Sequence, residues 1–501
     1  MAKAKRFFRL SPYVLIAATL IIILVQWSCA VNPVTGKKEI MLVSESMEIQ
    51  MGKEIDRGLK MEYGLYDDPD FTAYVNRIGQ GLVPFSHRPH LQYHFAILDT
   101  PVENAFAAPG GYIYITRGLL AMLNSEAEIA TVLGHELGHV AARHSARQIT
   151  RSILFQVGII LASELSKDFR KIAPLTLIAT QLLFLKYSRS DEYQADALGI
   201  EYSMKSNYAA KEMVTFFSSL ERMTASEGGP KIPNFLSTHP LTPLRIQKVK
   251  DLLQVQTFVP SSNVPKLAVE KNKYVKMTDG LIYGENPLDG YVEGNTFYHP
   301  NMQFSFRVPS GWQVNNTPMQ VVMSSPDGKA VVLLKAEVSD EGLDVYSDTM
   351  MKNLSNPKII QEGYRYINGL DAYHTLLALV PPPDEDGTQP KANEKMAVNL
   401  NCIRKDRTIF TFFSAAAEPD YPAYRNEIGR VVNSFSPLRN PRYLNRVPQK
   451  VYVKQVRGGQ TLRALLGNEG VAVKDWEKIA LINAMQLDQA LNNNQLVKII
   501  K

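Results

Sequence analysis

The chain holds only two cysteines in 501 residues, Cys29 and Cys402. That excludes a disulfide framework, because a lipidated Cys29 leaves Cys402 without a partner. Cys402 lies in an alternating stretch, Val398 to Ile403, and reads as a strand residue rather than a nucleophile. Dense positive charge is also missing. The net charge is +6 and no basic block follows the first residues, so nucleic acid is not an expected partner. Beyond the N-terminus no apolar run reaches the roughly 18–20 residues needed to cross a bilayer. Ile153 to Ala162 and Ile172 to Leu185 fall short, the second interrupted by Thr176, Thr180 and Gln181. They read as buried or cleft-covering helices. Long-period repeats and heptads are absent, which removes solenoids and coiled coils. What remains, 45% hydrophobic and 21% charged residues, is ordinary globular protein whose length suggests about three domains.

Lys3, Lys5, Arg6 and Arg9 precede an apolar run from Tyr13 to Val25, which ends at Trp27-Ser28-Cys29. A basic stretch, an apolar segment of this length and a small residue before a cysteine have the form of a secretory signal. The cysteine suggests a bacterial lipoprotein, cleaved after residue 28 and acylated on Cys29. Gln26 and Trp27 depart from the Leu and small residue usual in such a box, and the alternative is an uncleaved membrane anchor. Either reading exports the body of the chain to the cell envelope, facing the periplasm. Ala30, lacking the aspartate associated with inner-membrane retention, leans towards the outer membrane.

A first domain is expected over 29–255. It starts with a helical, amphipathic region from Ser44 to Leu82, followed by strands at Tyr93 to Leu98 and Gly111 to Ile115. Ser125-Glu126-Ala127-Glu128 has the form of a capping box and predicts a helix start; Ile129, Val132, Leu133, Val140 and Ala141 continue it at helical spacing. Another helical pattern runs from Ala173 to about Ser203. Proline, glycine and asparagine then mark a linker over 256–295. Strand-like runs and two helical patches, Val345 to Leu354 and Tyr421 to Asn433, predict an α+β domain over 296–440, with a polar proline-rich loop at Pro381 to Pro390. A unit of about fifty residues closes the chain at 449–501.

The predicted helix from Ser125 carries His135-Glu136-Leu137-Gly138-His139, two of only nine histidines. One helical turn apart, both imidazoles face the same way and can bind one Zn²⁺, with Glu136 placed to accept a proton from water. Two histidines leave a catalytic zinc site short of a third protein ligand. Glu192, on the next strongly helical polar stretch, is the best candidate. Asp196, one turn later, can accept the second N–H of a ligating imidazole. His144 lies nine residues after His135, off the metal face of a continuous helix, and reads as a supporting or packing residue.

Several motifs in order resemble the HtpX/BepA-type zinc metallopeptidases of family M48, over roughly Val31 to Leu253. These are Asn32-Pro33-Val34-Thr35-Gly36, Asn104-Ala105-Phe106 leading to Pro109-Gly110-Gly111, the His135-Glu136 motif, Glu192 with Asp196, and Ser237-Thr238-His239-Pro240 followed by Arg245. The resemblance implies that Glu192 is the third ligand of one Zn²⁺ per subunit and Asp196 its orienting partner. It also implies that Gly111, Tyr112, Ile113 and Tyr114 form an edge strand on which an extended peptide lies. His239 is then either a loop residue or a group that fills the fourth metal position or steadies an oxyanion. Arg245 would support that loop or a nearby carboxylate.

Val451 to Ile500 resembles a LysM domain through Tyr452-Val453-Lys454, Gly459-Gln460-Thr461-Leu462, Leu481-Ile482-Asn483 and Leu496-Val497-Lys498-Ile499, although Gln460 and Asn492 to Gln495 depart from the usual pattern. Gln303 to Trp312 and Val432 to Phe435 resemble PsbP-like folds. The implied architecture is α+β multidomain. A mainly helical gluzincin-type metallopeptidase domain with a small substrate-binding sheet precedes a PsbP-like α+β domain and a LysM-like βααβ unit. The implied function is proteolysis of misfolded or misassembled envelope proteins, with the membrane and peptidoglycan as tethers. A latent-protease chaperone or scaffold and a cell-wall hydrolase are the rival readings.

Overall fold

The computed structural model describes residues 29–163, 187–225, 234–256, 267–352, 354, 356–380 and 395–501. The signal or anchor segment, the apolar run 172–185 and the loop 381–390 lie outside them. No described helix is long and apolar enough to cross a membrane. The chain divides into two compact units, one of Met1–Lys60, Leu65–Tyr283 and Lys450–Lys501, the other of Met61–Gly64 and Gly284–Gln449.

The first unit opens with a hairpin of β1 (Cys29–Val31) and β2 (Lys38–Ile40), closed by the Asn32-to-Gly36 motif. Asn32 is buried, and its Oδ1 accepts from the amides of Val34 and Thr35. The expected helical region is two helices, α1 (Glu45–Tyr63) and α2 (Pro69–Leu82). Gly64 at φ +71° ends the first turn path, and Asp68 caps Phe71 N with Pro69 at the next position. A three-stranded sheet follows: β3 (His94–Leu98), β4 (Ala105–Ala108) and β5 (Tyr112–Thr116). Then come α3 (Arg117–Met122), α4 (Glu126–Ala141), α5 (His144–Ser163), α6 (Arg189–Lys205), α7 (Glu212–Ala225), α8 (Asn234–Thr238), α9 (Pro243–Gln256) and α10 (Lys271–Met277). In its described part the helix predicted from Ala173 starts only at Arg189, where Ser188 and Asp191 form a capping box.

The 256–295 linker reading is corrected. Within it α10 buries Tyr274 completely, its hydroxyl donating to Leu120 O, and Leu281 is also in the core. Aromatic and aliphatic burial outweighed the proline and glycine punctuation.

The second unit has a seven-stranded antiparallel sheet in the order β12-β13-β14-β15-β11-β10-β9 and a four-stranded sheet in the order β16-β8-β7-β6. The strands are β6 (Tyr291–Glu293), β7 (Thr296–His299), β8 (Phe304–Arg307), β9 (Gln313–Thr317), β10 (Gln320–Ser324), β11 (Ala330–Val338), β12 (Pro357–Ile367), β13 (Leu370–Leu379), β14 (Met396–Lys405), β15 (Thr408–Ala417) and β16 (Ser436–Pro437). Alternation along the strands supplies a core on each face of the larger sheet. On one, α11 (Leu343–Met351) packs with Leu377, Leu400 and Cys402; on the other, α12 (Tyr421–Asn433) packs with Ile403, Phe410 and Phe412. Cys402 is fully buried, and burial pushes its thiol up to about 12, consistent with a core role.

The final segment has the order β17 (Val451–Gln455), α14 (Leu462–Asn468), α15 (Trp476–Ile482) and β18 (Leu496–Ile500), with α13 (Pro441–Leu444) before it. The two strands pair antiparallel. Its expected independence is corrected, because it shares one core with the first unit. Gly280 N donates to Val451 O and Val451 N to Leu281 O. Lys498, fully buried, donates from Nζ to Ala121 O and Leu123 O, each at 2.8 Å.

Candidate metal centre

Helix α4 starts where Ser125 Oγ accepts from Glu128 N. Glu128 reaches past the cap to Asn124 N, so the N-terminal turn is held from both sides. All sixteen residues of α4 are buried, which makes it the central rod of the first unit. His135 and His139 sit one turn apart, their Nε2 atoms 3.0 Å from each other.

Helix α6 brings Glu192 to them because three glycines permit a close crossing. A Cβ on Gly199 would lie 2.8 Å from His135 N, one on Gly134 3.0 Å from Gly199 O, and one on Gly138 3.1 Å from Leu198 Cβ. With no side chains between them, the two backbones approach directly. Glu192 Oε2 then lies 3.6 Å from His135 Nε2, and Oε1 3.5 Å from His139 Nε2. His239 completes the group. Its Nδ1 is 3.3 Å from His135 Nε2 and 2.9 Å from Glu192 Oε1.

Four buried donors thus converge, all within 4.8 Å of one another. Zn–N bonds of about 2.0–2.1 Å place the corners of a tetrahedron roughly 3.3 Å apart. The close contacts among them, 2.9 to 3.6 Å, are of that order within an overall spread of 4.8 Å, and an N₃O donor set suits Zn²⁺. Burial, followed by the neighbouring His135, holds the His139 imidazole well below its ordinary range, so it is neutral as a ligand must be.

Supporting contacts orient each donor. Asp196 Oδ1 lies 2.9 Å from His135 Nδ1. Arg245, also buried, grips both Asp196 oxygens at 2.6 and 2.7 Å, lies 2.7 Å from Glu192 Oε2, and donates to His239 O. Burial raises the Asp196 carboxyl, but Arg245 outweighs it and brings it to about 2. Glu192 is held below the usual range in the same way, by His239 and Arg245 against burial. On the other side His139 Nδ1 is 2.9 Å from His144 Nδ1, and His144 Nε2 is 3.0 Å from Gln194 Oε1. The continuous helix assumed for His144 does not exist. Arg143 at φ +56° breaks it, and His144 opens α5 pointing back at the site. Tyr187, just before the Ser188 cap, stacks on the His139 ring at 3.9 Å; sequence reasoning missed it, and nothing in its local pattern marks it.

Glu136 is the remaining group. Both its oxygens are buried without a hydrogen-bond partner, and Oε1 lies 3.4 Å from the equally unpartnered His239 Nε2. Burial pushes its carboxyl above the ordinary range, which strengthens it as a base.

The peptide-edge expectation is corrected. The sheet order is β3-β5-β4, so Tyr112 to Thr116 form the central strand, parallel to β3 and antiparallel to β4, and are buried throughout. Gly110 and Gly111, at positive φ, make the turn into it. The strand beside α4 that pairs on one side only, among the described residues, is β4, Ala105 to Ala108. The segment before it is tied to the loop of His239: Phe235 N donates to Glu103 O, and Thr238 Oγ1 to Asn104 Oδ1.

Residues 69–253 match peptidase family M48. The beta-barrel assembly-enhancing protease of Escherichia coli O157:H7 is 29% identical over 227 residues, 44% of this chain and 46% of that protein. The mitochondrial metalloendopeptidase OMA1 of Schizosaccharomyces pombe is 31% identical over 225 residues, 44% of this chain and 65% of that protein. The chain therefore spans about half to two thirds of the length of these relatives. Among solved structures, cyanobacterial PsbP (CyanoP) from Synechocystis is similar over 30% of this chain and 99% of its own, at 16% identity and a TM-score of 0.24.

Proposed function

We propose that this chain, which carries a family M48 peptidase domain over residues 69–253, is a zinc-dependent endopeptidase of the bacterial cell envelope acting on misfolded or misassembled envelope proteins. The observation that carries the chemistry is the convergence of His135, His139, Glu192 and His239, whose donor atoms all lie within 4.8 Å of one another, with an unpartnered Glu136 beside them. The substrate class rests on the resemblance and on the beta-barrel assembly-enhancing relative.

His135, His139 and Glu192 would hold the ion. When bound, Zn²⁺ supplies Lewis acidity, polarising a carbonyl and acidifying a water. Glu136 takes the proton of the attacking water and returns it to the leaving nitrogen as the peptide C–N bond breaks, so the carboxylate is regenerated. Asp196 and Arg245 keep His135 and Glu192 in place. His144 accepts from His139 Nδ1 and fixes its tautomer. An extended substrate adds to the free edge of β4 by main-chain hydrogen bonds, so its selection lies in side-chain pockets.

A second reading, latency, is favoured by one observation. His239 Nδ1 lies 3.3 Å from His135 Nε2 and 2.9 Å from Glu192 Oε1, where it would compete with an exchangeable ligand, and its Nε2 faces the base. In this arrangement the site is closed, and the loop after α8 must move before a peptide enters. The deciding experiment uses purified full-length variants. Glu136→Gln should keep one zinc per chain by metal analysis and lose casein cleavage by roughly 10²–10⁴-fold, whereas His135→Ala should lose both. A Glu136→Gln protein that still cuts at the wild-type rate would sink the mechanism.

A further inference from the structure

The seven-stranded sheet of the second unit carries a polar group that the peptidase reading does not use. Register places Arg365, His374, Asn399, Asn401 and Ser414 on one face. Arg365 stands two residues from Gly363 on β12; Gly363 pairs with His374, His374 with Asn401, and Asn399 with Ser414. Arg365 Nη2 donates to Asn401 Oδ1 at 2.7 Å, and Asn401 Nδ2 donates to Asn399 Oδ1 at 2.7 Å.

Among the described residues no carboxylate approaches the Arg365 guanidinium, and its Nε is buried without a partner. Ser414 is fully buried and its hydroxyl is also unpartnered. Buried cations are ordinarily paired, and buried donors are ordinarily satisfied. Next to Arg365 there is room: nothing lies within 4 Å of where a side chain on Gly363 would begin. Burial, then Arg365 itself, lowers the His374 imidazole, which leaves one positive charge in the group.

We infer that this face binds a carboxylate, with Arg365 as its counter-ion, the half-buried Asn399 and His374 as neutral hydrogen-bonding partners, and the fully buried Asn401 holding the guanidinium from behind. One cation matches a monoanion; a phosphate dianion would leave charge uncompensated in a half-buried site. A guanidinium edge fits the planar carboxylate in fork geometry. The carboxylate comes either from a free small acid or from the C-terminus of a polypeptide.

Isothermal titration of the full chain with sodium propionate, Ala-Ala-Phe and Ala-Ala-Phe-amide tests this. Propionate should bind in either case; the free-acid tripeptide should bind as well where chain ends are recognised, and the amide should not bind. Arg365→Met should weaken binding about tenfold or more, whereas a carboxylate captured at the zinc centre would be unaffected. Asn401→Asp is the second variant. It supplies the missing partner 2.7 Å from Arg365, so binding should vanish while the melting temperature holds or rises. Binding that survives both substitutions, equal binding of acid and amide, or tighter binding of inorganic phosphate than of propionate would each overturn the inference.

Discussion

His239 is the residue whose surroundings only the tertiary structure defines. Alone, a histidine before proline in a loop carries no chemical signal. Here it is fully buried, 2.9 Å from Glu192, with its other nitrogen towards Glu136. Burial lowers its basicity, yet Glu192 and Glu136 together raise it above the ordinary value. If it closes the site, His239→Ala should raise casein cleavage several-fold while zinc content stays at one per chain. An unchanged or reduced rate with zinc retained would assign it to transition-state support instead. The candidate ligands were largely legible: the spacing of His135 and His139 is a local property of a helix, and Glu192 with Asp196 repeats it on α6. The supporting role read for His144 fits its contact with His139, but that contact depends on a backbone break at Arg143, which no residue pattern announced.

At the scale of elements, the α4–α6 crossing sets the metal site. Gly199→Ala would put a methyl 2.8 Å from His135 N, and neither backbone can yield without moving a ligand. We expect about 1–3 kcal/mol of destabilisation, read in urea melts, together with weaker zinc retention on dialysis against a chelator. Retention equal to wild type would show that the helices separate without disturbing the ligands. The start of α4 has its own pH dependence. Glu126, in its first turn, accepts from the hydroxyls of Tyr74 and Tyr208 and pairs with Arg77 and Lys273. Burial raises its carboxyl, but these donors outweigh it and hold it near about 2. A folded value below the unfolded one means that the contribution is complete above about 4.5 and lost as pH falls towards 2. The melting-temperature gap between wild type and Glu126→Gln should therefore be constant near neutrality and close in that window. A gap that persists at pH 2 would assign it to packing.

For the whole molecule, the closing βααβ segment belongs to the first unit's core rather than hanging from it as a tether. Lys498 holds the carbonyls of Ala121 and Leu123, in the turn that feeds α4, and Arg222 holds Met485 O. Removing residues 450–501 would expose Leu281 and the α3 surface and leave those carbonyls unanswered. The truncated chain should lose cooperative unfolding and casein cleavage together. A truncated protein that melts and cuts like the full chain would restore the picture of an independent wall-binding module. A glycan-binding role for the segment is a separate matter, tested by retention of the full chain on purified peptidoglycan.

The sequence by itself determined what depends on neighbours a few residues apart: the capped helix, the two histidines on one face, the acid pair one turn apart, and the alternating strands of the second unit. Short-range periodicity is a physical property of the local backbone, so it can be read in one dimension. Tertiary structure decided what depends on partners brought from afar. It put β5 in the middle of its sheet and β4 at an edge of it, because both are short apolar strands and sheet order has no local signature. It folded residues 267–283 of the supposed linker into the first unit's core, turned His144 back to His139, and set His239 beside Glu192 and Glu136. Those outcomes follow from which buried surfaces and unpaired polar groups meet, and that is settled only when the whole chain is packed.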